Sequence, residues 1–261
     1  MPIVTDLSLE SYHAGDGVGA STLARVLRSP AHSRVPIAPS PAMELGTAFH
    51  VAMEIGAAWR ERYAIKPADH DGRTRAGKEW VAAHADRPTL SADDADRVDA
   101  AAAATCAVAL GKQTIGDALI GAHFERSHFS TDELTGLLCK VRPDVETHGM
   151  IIDWKMTTDA REHAFAGKVE AYGYDLQAAY YLDHVAEPAD LFVFVVVERD
   201  APHGVQAYYV ACDSDEHLIG RAKWRRALTL YAHCAVVCEW PGYDPTPKRL
   251  LLKPWAYKEA I

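Results

Sequence analysis

The longest uninterrupted apolar run in this chain of 261 residues is Leu191–Val197, a strand's length and far short of the ~18 residues of a membrane-spanning helix. Around it the texture changes along the chain. Met43–Arg60 reads as a helix, with Leu45, Phe49, Met53 and Trp59 near helical spacing. Ser91-Ala92-Asp93-Asp94 opens a second helix, predicted over Ser91–Leu110, with acid in its first turn. Three strands follow, His123–Ser130, Leu137–Val145 and Met150–Met156, with turns at Thr131-Asp132-Glu133 and Thr147-His148-Gly149. Lys168–His184 is predicted to be one helix. Leu191–Arg199 and Val205–Cys212 are predicted strands joined at Pro202-His203-Gly204, and Asp213–Cys238 is a long helix. The order implies one α/β (α+β) domain over 1–261, a mixed central sheet flanked by helices. Its N-terminal part, about 1–118, is helical, and the sheet core spans about 119–261.

The formal charge of -9 argues against a protein that coats DNA passively. It leaves room for an enzyme on DNA, which needs only a local positive surface and acidic residues for cations. Met1-Pro2-Ile3-Val4-Thr5-Asp6 lacks a signal-peptide pattern, so a cytoplasmic location is expected. The five cysteines are odd in number and irregular in spacing, which predicts buried free thiols. Cys234 and Cys238 could share a helix face as a metal pair, but no partner pair is evident.

Chemistry concentrates at Arg142-Pro143-Asp144, followed after eight residues by Asp153-Trp154-Lys155. Strand alternation puts Ile151, Asp153 and Lys155 on one face and Ile152 and Trp154 on the other. A tight hairpin between them would set Asp144 beside Asp153. Two close carboxylates repel unless a cation joins them, and Mg²⁺ takes carboxylate oxygens while leaving positions for water and phosphate. Lys155 would then orient the attacking water or neutralise developing charge. Taken alone, Asp-x-Lys reads more readily as a salt-bridged surface strand. Upstream, Gly46, His50 and Glu54 stack on one helix face. There Gly46 would admit another backbone, His50 could ligate a metal, and Glu54 could ligate it or hold a water. In isolation, His50 reads as a half-buried histidine paired with Glu54. Downstream, Gln177 and Tyr181 share a helix face, suited either to phosphate or Lys155 contacts or to ordinary packing.

In this order the set resembles the RecB-like branch of the PD-(D/E)xK nucleases: Gly46 with His50, Asp144, Asp153 with Lys155, Gln177 with Tyr181. Longer stretches resemble the C-terminal nuclease family of RecE (exonuclease VIII) and its phage-borne relatives. They include Ser21-Thr22-Leu23 through Ser29-Pro30-Ala31-His32, Pro41–His50, Arg73–Lys78, Thr135–Asp144 and Trp240-Pro241-Gly242-Tyr243. The resemblance implies a restriction-endonuclease-like core and Mg²⁺-dependent degradation of linear double-stranded DNA, 5′ to 3′. The 3′ overhangs left would serve recombination by strand annealing. It implies Mg²⁺, with Mn²⁺ as substitute. His50, Asp144, Asp153 and the Trp154 carbonyl would be ligands, Lys155 the catalytic lysine, and Glu54 and Glu125 possible helpers. A ring-shaped homo-oligomer (a tetramer, or else a trimer), a single-strand annealing partner and phage or prophage origin in a bacterial cell are implied too, with no membrane partner.

Arg25, Arg28 and Arg34 form one basic cluster and Arg73, Arg75 and Lys78 another, each a candidate DNA contact, with a 5′-phosphate pocket at one of them, or else a solvated surface. Arg221, Lys223, Arg225 and Arg226 form a further set on the late helix. Two alternatives stay open. One is a RecB-like nuclease acting on single strands. Its iron–sulfur form needs a cysteine ahead of the Gly46 helix, and none precedes Cys106, so no such cluster is expected. The other is a catalytically inactive DNA-binding module on the same fold.

Overall fold

A computed structural model describes residues 3–4, 7–38 and 40–251. Strand β1 (Ile3–Val4) leads to helices α1 (Leu9–Ala14), α2 (Ala20–Arg28) and α3 (Pro30–Ser33), then α4 (Pro41–Ile55) and a 3-10 turn over Gly56–Arg62. Next come β2 (Ala64–Ile65), α5 (Arg75–Ala83), β3 (Thr89–Leu90) and α6 (Ala92–Cys106). The short hairpin β4 (Ala109–Leu110) and β5 (Gln113–Thr114) precedes α7 (Ile115–Ala118). Strands β6 (His123–Phe124), β7 (Ser127–Thr131), β8 (Leu138–Val141), β9 (Val145–Thr147) and β10 (Met150–Thr157) follow. The chain then forms α8 (Glu162–Tyr172), α9 (Tyr174–His184), β11 (Leu191–Glu198), β12 (Val205–Ala211) and α10 (Asp215–Val237).

Five strands make the main sheet, in the order β12-β11-β10-β9-β6, in which β10 and β11 run parallel and the other neighbours antiparallel. The mixed sheet expected from the sequence is present. It is covered on both faces. Ile151, Phe192, Phe194 and Val196 pack with Leu23, Leu176 and Trp224 of α2, α9 and α10. Ile152, Trp154, Val193 and Val195 pack with Phe49 of α4 and Ala101 of α6. Burial on both faces is why β11 is an unbroken apolar run rather than an alternation.

The structure departs from the sequence reading where the chain bends between strands. Leu137–Val145 is not one strand. Leu138–Val141 belongs to a separate three-stranded sheet, β1-β7-β8, and the chain crosses at Arg142-Pro143-Asp144 before joining the main sheet at Val145. Pro143 carries no N–H for a ladder, so the crossing falls where pairing would fail anyway. His123–Ser130 is likewise broken, with Glu125 at φ 52° between β6 and β7. Lys168–His184 is two helices separated by Gly173 at φ 71°, where an added Cβ would lie 3.1 Å from Ala24 Cβ. The helix read as Met43–Arg60 ends at Ile55, because Gly56 takes φ 62° and the chain tightens into the 3-10 turn. The helix read as Ser91–Leu110 is capped by the Ser91 side chain as expected and ends at Cys106. The turn at His148-Gly149 has both residues at positive φ, as a two-residue hairpin needs. Among the cysteines, Cys139 and Cys234 are buried and Cys106 half-buried, but Cys212 and Cys238 are exposed, so the reading of buried thiols fails for those two.

Candidate functional site

Three elements and two breaks in the sheet bring the chemical groups together. The register Ile152↔Val145 continues to place Asp144 next to Asp153. Asp144 Oδ2 accepts the backbone N–H of Trp154 at 2.8 Å, which locks the carboxylate against β10. On the same strand, Asp153 is 3% exposed and Lys155 is half-buried. Trp154, on the opposite face, anchors the strand in the core beside Phe49 of α4. That contact seats α4 so that His50 reaches the strand. His50 Nδ1 stands 3.5 Å from Asp144 Oδ1, and its Nε2 lies 3.2 Å from the Trp154 carbonyl oxygen.

Glu125 completes the group. Its position between β6 and β7 brings a carboxylate oxygen within 4.8 Å of the ligating atoms of His50 and Asp144, which lie equally close to one another. Arg142 holds it there. The guanidinium donates Nε–H to Glu125 Oε2 at 2.6 Å and bonds the Leu7 carbonyl and Ser127 Oγ with Nη1. α9 supplies Gln177, whose Nε2 donates to Asp153 Oδ1 at 2.6 Å. Gln177 therefore supports the carboxylate rather than Lys155, one of the two contacts expected for it. Tyr181 is half-buried against Phe192 and borders the cleft.

The electrostatics show what the cluster lacks. Burial raises the Asp153 carboxyl, Lys155 opposes and Asp144 reinforces, leaving it pushed up to about 6. Asp144 is also pushed up by burial, but His50, Lys155 and the Trp154 N–H outweigh that and hold it below its ordinary value. Burial and the Asp144 charge raise Glu125 to about 7 against the pull of Arg142. Burial lowers the His50 imidazole, yet the Asp144 carboxylate more than offsets it and the net shift is upward. The second Asp153 oxygen, Oδ2, is buried and pairs with the Lys155 ammonium. The half-buried carboxyls of Glu125 and Asp144 beside the His50 imidazole form an oxygen-rich set close enough to hold a hard divalent cation, with Asp153 next to Asp144 and paired with Lys155. The residues fit such an ion.

His50, Glu54, Glu125, Asp144, Lys155 and Tyr181 line a cavity of about 870 Å³, and Asp153 lies buried beside it. Glu54 is exposed on the cavity wall and does not pair with His50, whose carboxylate partner is Asp144. Gly46 also faces the cavity. An added Cβ there would meet nothing within 4 Å, so it admits no neighbouring backbone, contrary to the sequence expectation.

The basic clusters lie elsewhere. Arg25 bonds the carbonyls of His32 and Val35, Arg28 donates to the Tyr243 hydroxyl at 2.8 Å, and Arg34 covers the Trp240 ring. Arg75 pairs with Glu79 on exposed α5, and neither Arg73 nor Lys78 borders the cavity. The arginines that do line it are Arg62 and Arg142. Sequence reading missed Arg62, and no local pattern marked it. On α10, Arg221 pairs with Asp183, Lys223 with Asp175 and Arg225 with Asp132. A second trio, Cys212, Asp213 and His217, is close enough to hold a metal. However, His217 Nδ1 accepts the Asp213 N–H at 2.8 Å, and Nε2 already contacts Asp183 at 3.2 Å and Arg221 at 3.3 Å, so both ring nitrogens are engaged.

A family model described as a PDDEXK-like domain of unknown function (DUF3799) matches residues 19–245. No curated protein matches the chain. Among solved structures, a protein of Eubacterium rectale described as a candidate exonuclease aligns with a TM-score of 0.56 at 13% identity, covering 98% of both chains. A structure of SSO0001 aligns over 88% of this chain and 91% of that one, at 14% identity and a TM-score of 0.42. At such identities, the likeness to the first of these speaks for the fold alone. None of the described helices is long and apolar enough to cross a membrane.

Proposed function

The chain belongs to the PDDEXK-like family, and on that premise we propose that it is a divalent-metal-dependent nuclease that shortens linear double-stranded DNA from its ends. The observation that carries this reading is the convergence of Asp144, Asp153 and Lys155 on one side of β10, with His50 closing the group from α4. His50, Asp144, Asp153 and the Trp154 carbonyl would hold Mg²⁺ or Mn²⁺, with Glu125 and Glu54 at its border. When bound, the ion supplies charge stabilisation at a scissile phosphate and acidifies water.

The chain's own groups do the rest. Gln177 fixes one Asp153 oxygen while the other pairs with Lys155. Lys155, raised above its ordinary value by Asp153 and Asp144 despite burial, stays protonated and donates toward phosphate oxygens as negative charge builds. Arg142 fixes Glu125, and Tyr181 borders the cleft that would receive the DNA. Net acidity confines phosphate contact to local cations, for which Arg62 on the cavity wall is placed better than the clusters on α2 and α5.

Polarity from 5′ to 3′, a ring-shaped oligomer around DNA and an annealing partner for the 3′ overhang belong to the same proposal, supported by the resemblance of the segments Pro41–His50 and Thr135–Asp144. Linear duplex DNA incubated with Mg²⁺ should release nucleotides, and EDTA should stop release. Closed circular DNA degraded as fast as linear ends would overturn the exonuclease reading. Sedimentation showing only monomers at micromolar protein would overturn the ring.

A further inference from the structure

A second cavity, about 350 Å³, adjoins the site and shares Tyr12, His13 and Tyr181 with the larger one. Gln177, the residue that holds Asp153, lies in its wall. One side of this cavity is aromatic. Tyr172 and Tyr174 both line it and stack at 5.6 Å with 29° between their planes. Tyr174 in turn stacks on Phe165 at 5.8 Å and lies 5.7 Å from Phe194. Phe165 and Phe194 are buried, so the inner end of this column is fixed by the core. At the outer end Tyr172 is 63% exposed, with one face held by Tyr174.

An exposed tyrosine at a helix end is usually unremarkable. This one is stacked on Tyr174 and borders a pocket whose wall includes Gln177, the residue that holds Asp153. A stacked, preordered ring of that kind suits a planar aromatic ligand, because little side-chain freedom is lost when the ligand docks. The volume lies at the low end of the ~300–1,000 Å³ of small-ligand pockets, the scale of one nucleotide rather than of a duplex. We propose that this cavity is a subsite for an unpaired nucleobase of the terminal nucleotide, stacked on Tyr172, with the duplex lying in the larger cavity. The assignment rests on the nuclease reading for its substrate class.

The test is fluorescence anisotropy with duplexes bearing a one-nucleotide overhang, on the 5′ or the 3′ strand, that either carries a base or is abasic. Ca²⁺ replaces Mg²⁺, since it takes the same oxygen ligands. Wild-type protein should bind one of the base-bearing duplexes about tenfold more tightly than its abasic counterpart, the size expected of one base–aromatic stack. Tyr172→Ala should abolish that discrimination and Tyr172→Phe should retain it. Equal wild-type binding to base-bearing and abasic ends on both strands overturns the proposal. So does discrimination that survives in Tyr172→Ala, or no binding to any of the duplexes. A wild-type protein that releases no nucleotides in Mg²⁺ yet discriminates in Ca²⁺ would sink the nuclease reading and leave the subsite standing.

Discussion

Asp153 sits buried between Gln177 and Lys155, with Asp144 beside it, and its carboxyl is raised to about 6. Asp153→Asn keeps the shape and removes the charge. Nucleotide release is expected to fall at least a hundredfold while thermal unfolding shifts little, because burial, which raises the Asp153 carboxyl to about 6, makes its charge costly to the fold, and Asp144 still faces Lys155. Lys155→Ala should abolish release as well. Unchanged activity in both would remove the site assignment. Gln177→Ala leaves a buried oxygen of Asp153 without its donor, and about a tenfold loss of release is expected with the duplex affinity unchanged. The meeting of Asp144 with Asp153 was legible from strand alternation and a short hairpin. The closeness of Glu125 was not, because it depends on a left-handed residue between two strands that sequence periodicity reads as one.

Among the elements, α9 matters most, since it carries Gln177, Tyr181 and, at its start, Tyr174. It crosses α10 at Gly220, where an added Cβ would lie 2.3 Å from the Asp175 carbonyl oxygen and 2.8 Å from Ala179 Cβ. Gly220→Ala should cost about 1–3 kcal/mol in chemical denaturation, the range for overpacking, because both obstacles belong to the helix itself. Wild-type stability in that variant would show that the helices part freely. Helix and strand identities were legible from apolar spacing. The breaks at Gly56, Gly173 and Pro143 were not placed, because spacing reports which face is apolar and not where the chain changes direction.

Across the whole molecule, a buried charge network next to the carboxylate site, with Arg126 following Glu125 and Glu146 two residues beyond Asp144, ties the two sheets together. Arg126 Nε and Nη2 grip Glu146 at 3.1 and 3.0 Å, while His128 Nδ1 accepts the Ala186 N–H and its Nε2 meets Glu146 at 2.8 Å. Burial pushes the Glu146 carboxyl up, but these partners outweigh it and hold it below its ordinary value. Its contribution to stability is therefore full above pH 4.5, the unfolded value, and is lost as pH falls through the lower folded value. Glu146→Ala should cost about 3–5 kcal/mol at neutral pH, leaving Arg126 buried without its main partner. The wild-type advantage should shrink on acidification below pH 4.5, and an advantage that grew there would refute the assignment. The sequence by itself determined the mixed sheet with helices, the strand that carries Asp153 and Lys155, and the residue set from which the site is drawn. Those follow from local periodicity and from residue chemistry at short spacing. Only the tertiary structure decided that Gln177 serves Asp153, that Arg25, Arg28 and Arg34 are spent on carbonyls, a hydroxyl and an indole, that Arg62 reaches the cleft and that Tyr172 closes an aromatic column. Most of these join residues distant in sequence, and which of them meet is set by how helices pack on the sheet, a property no short window of sequence contains.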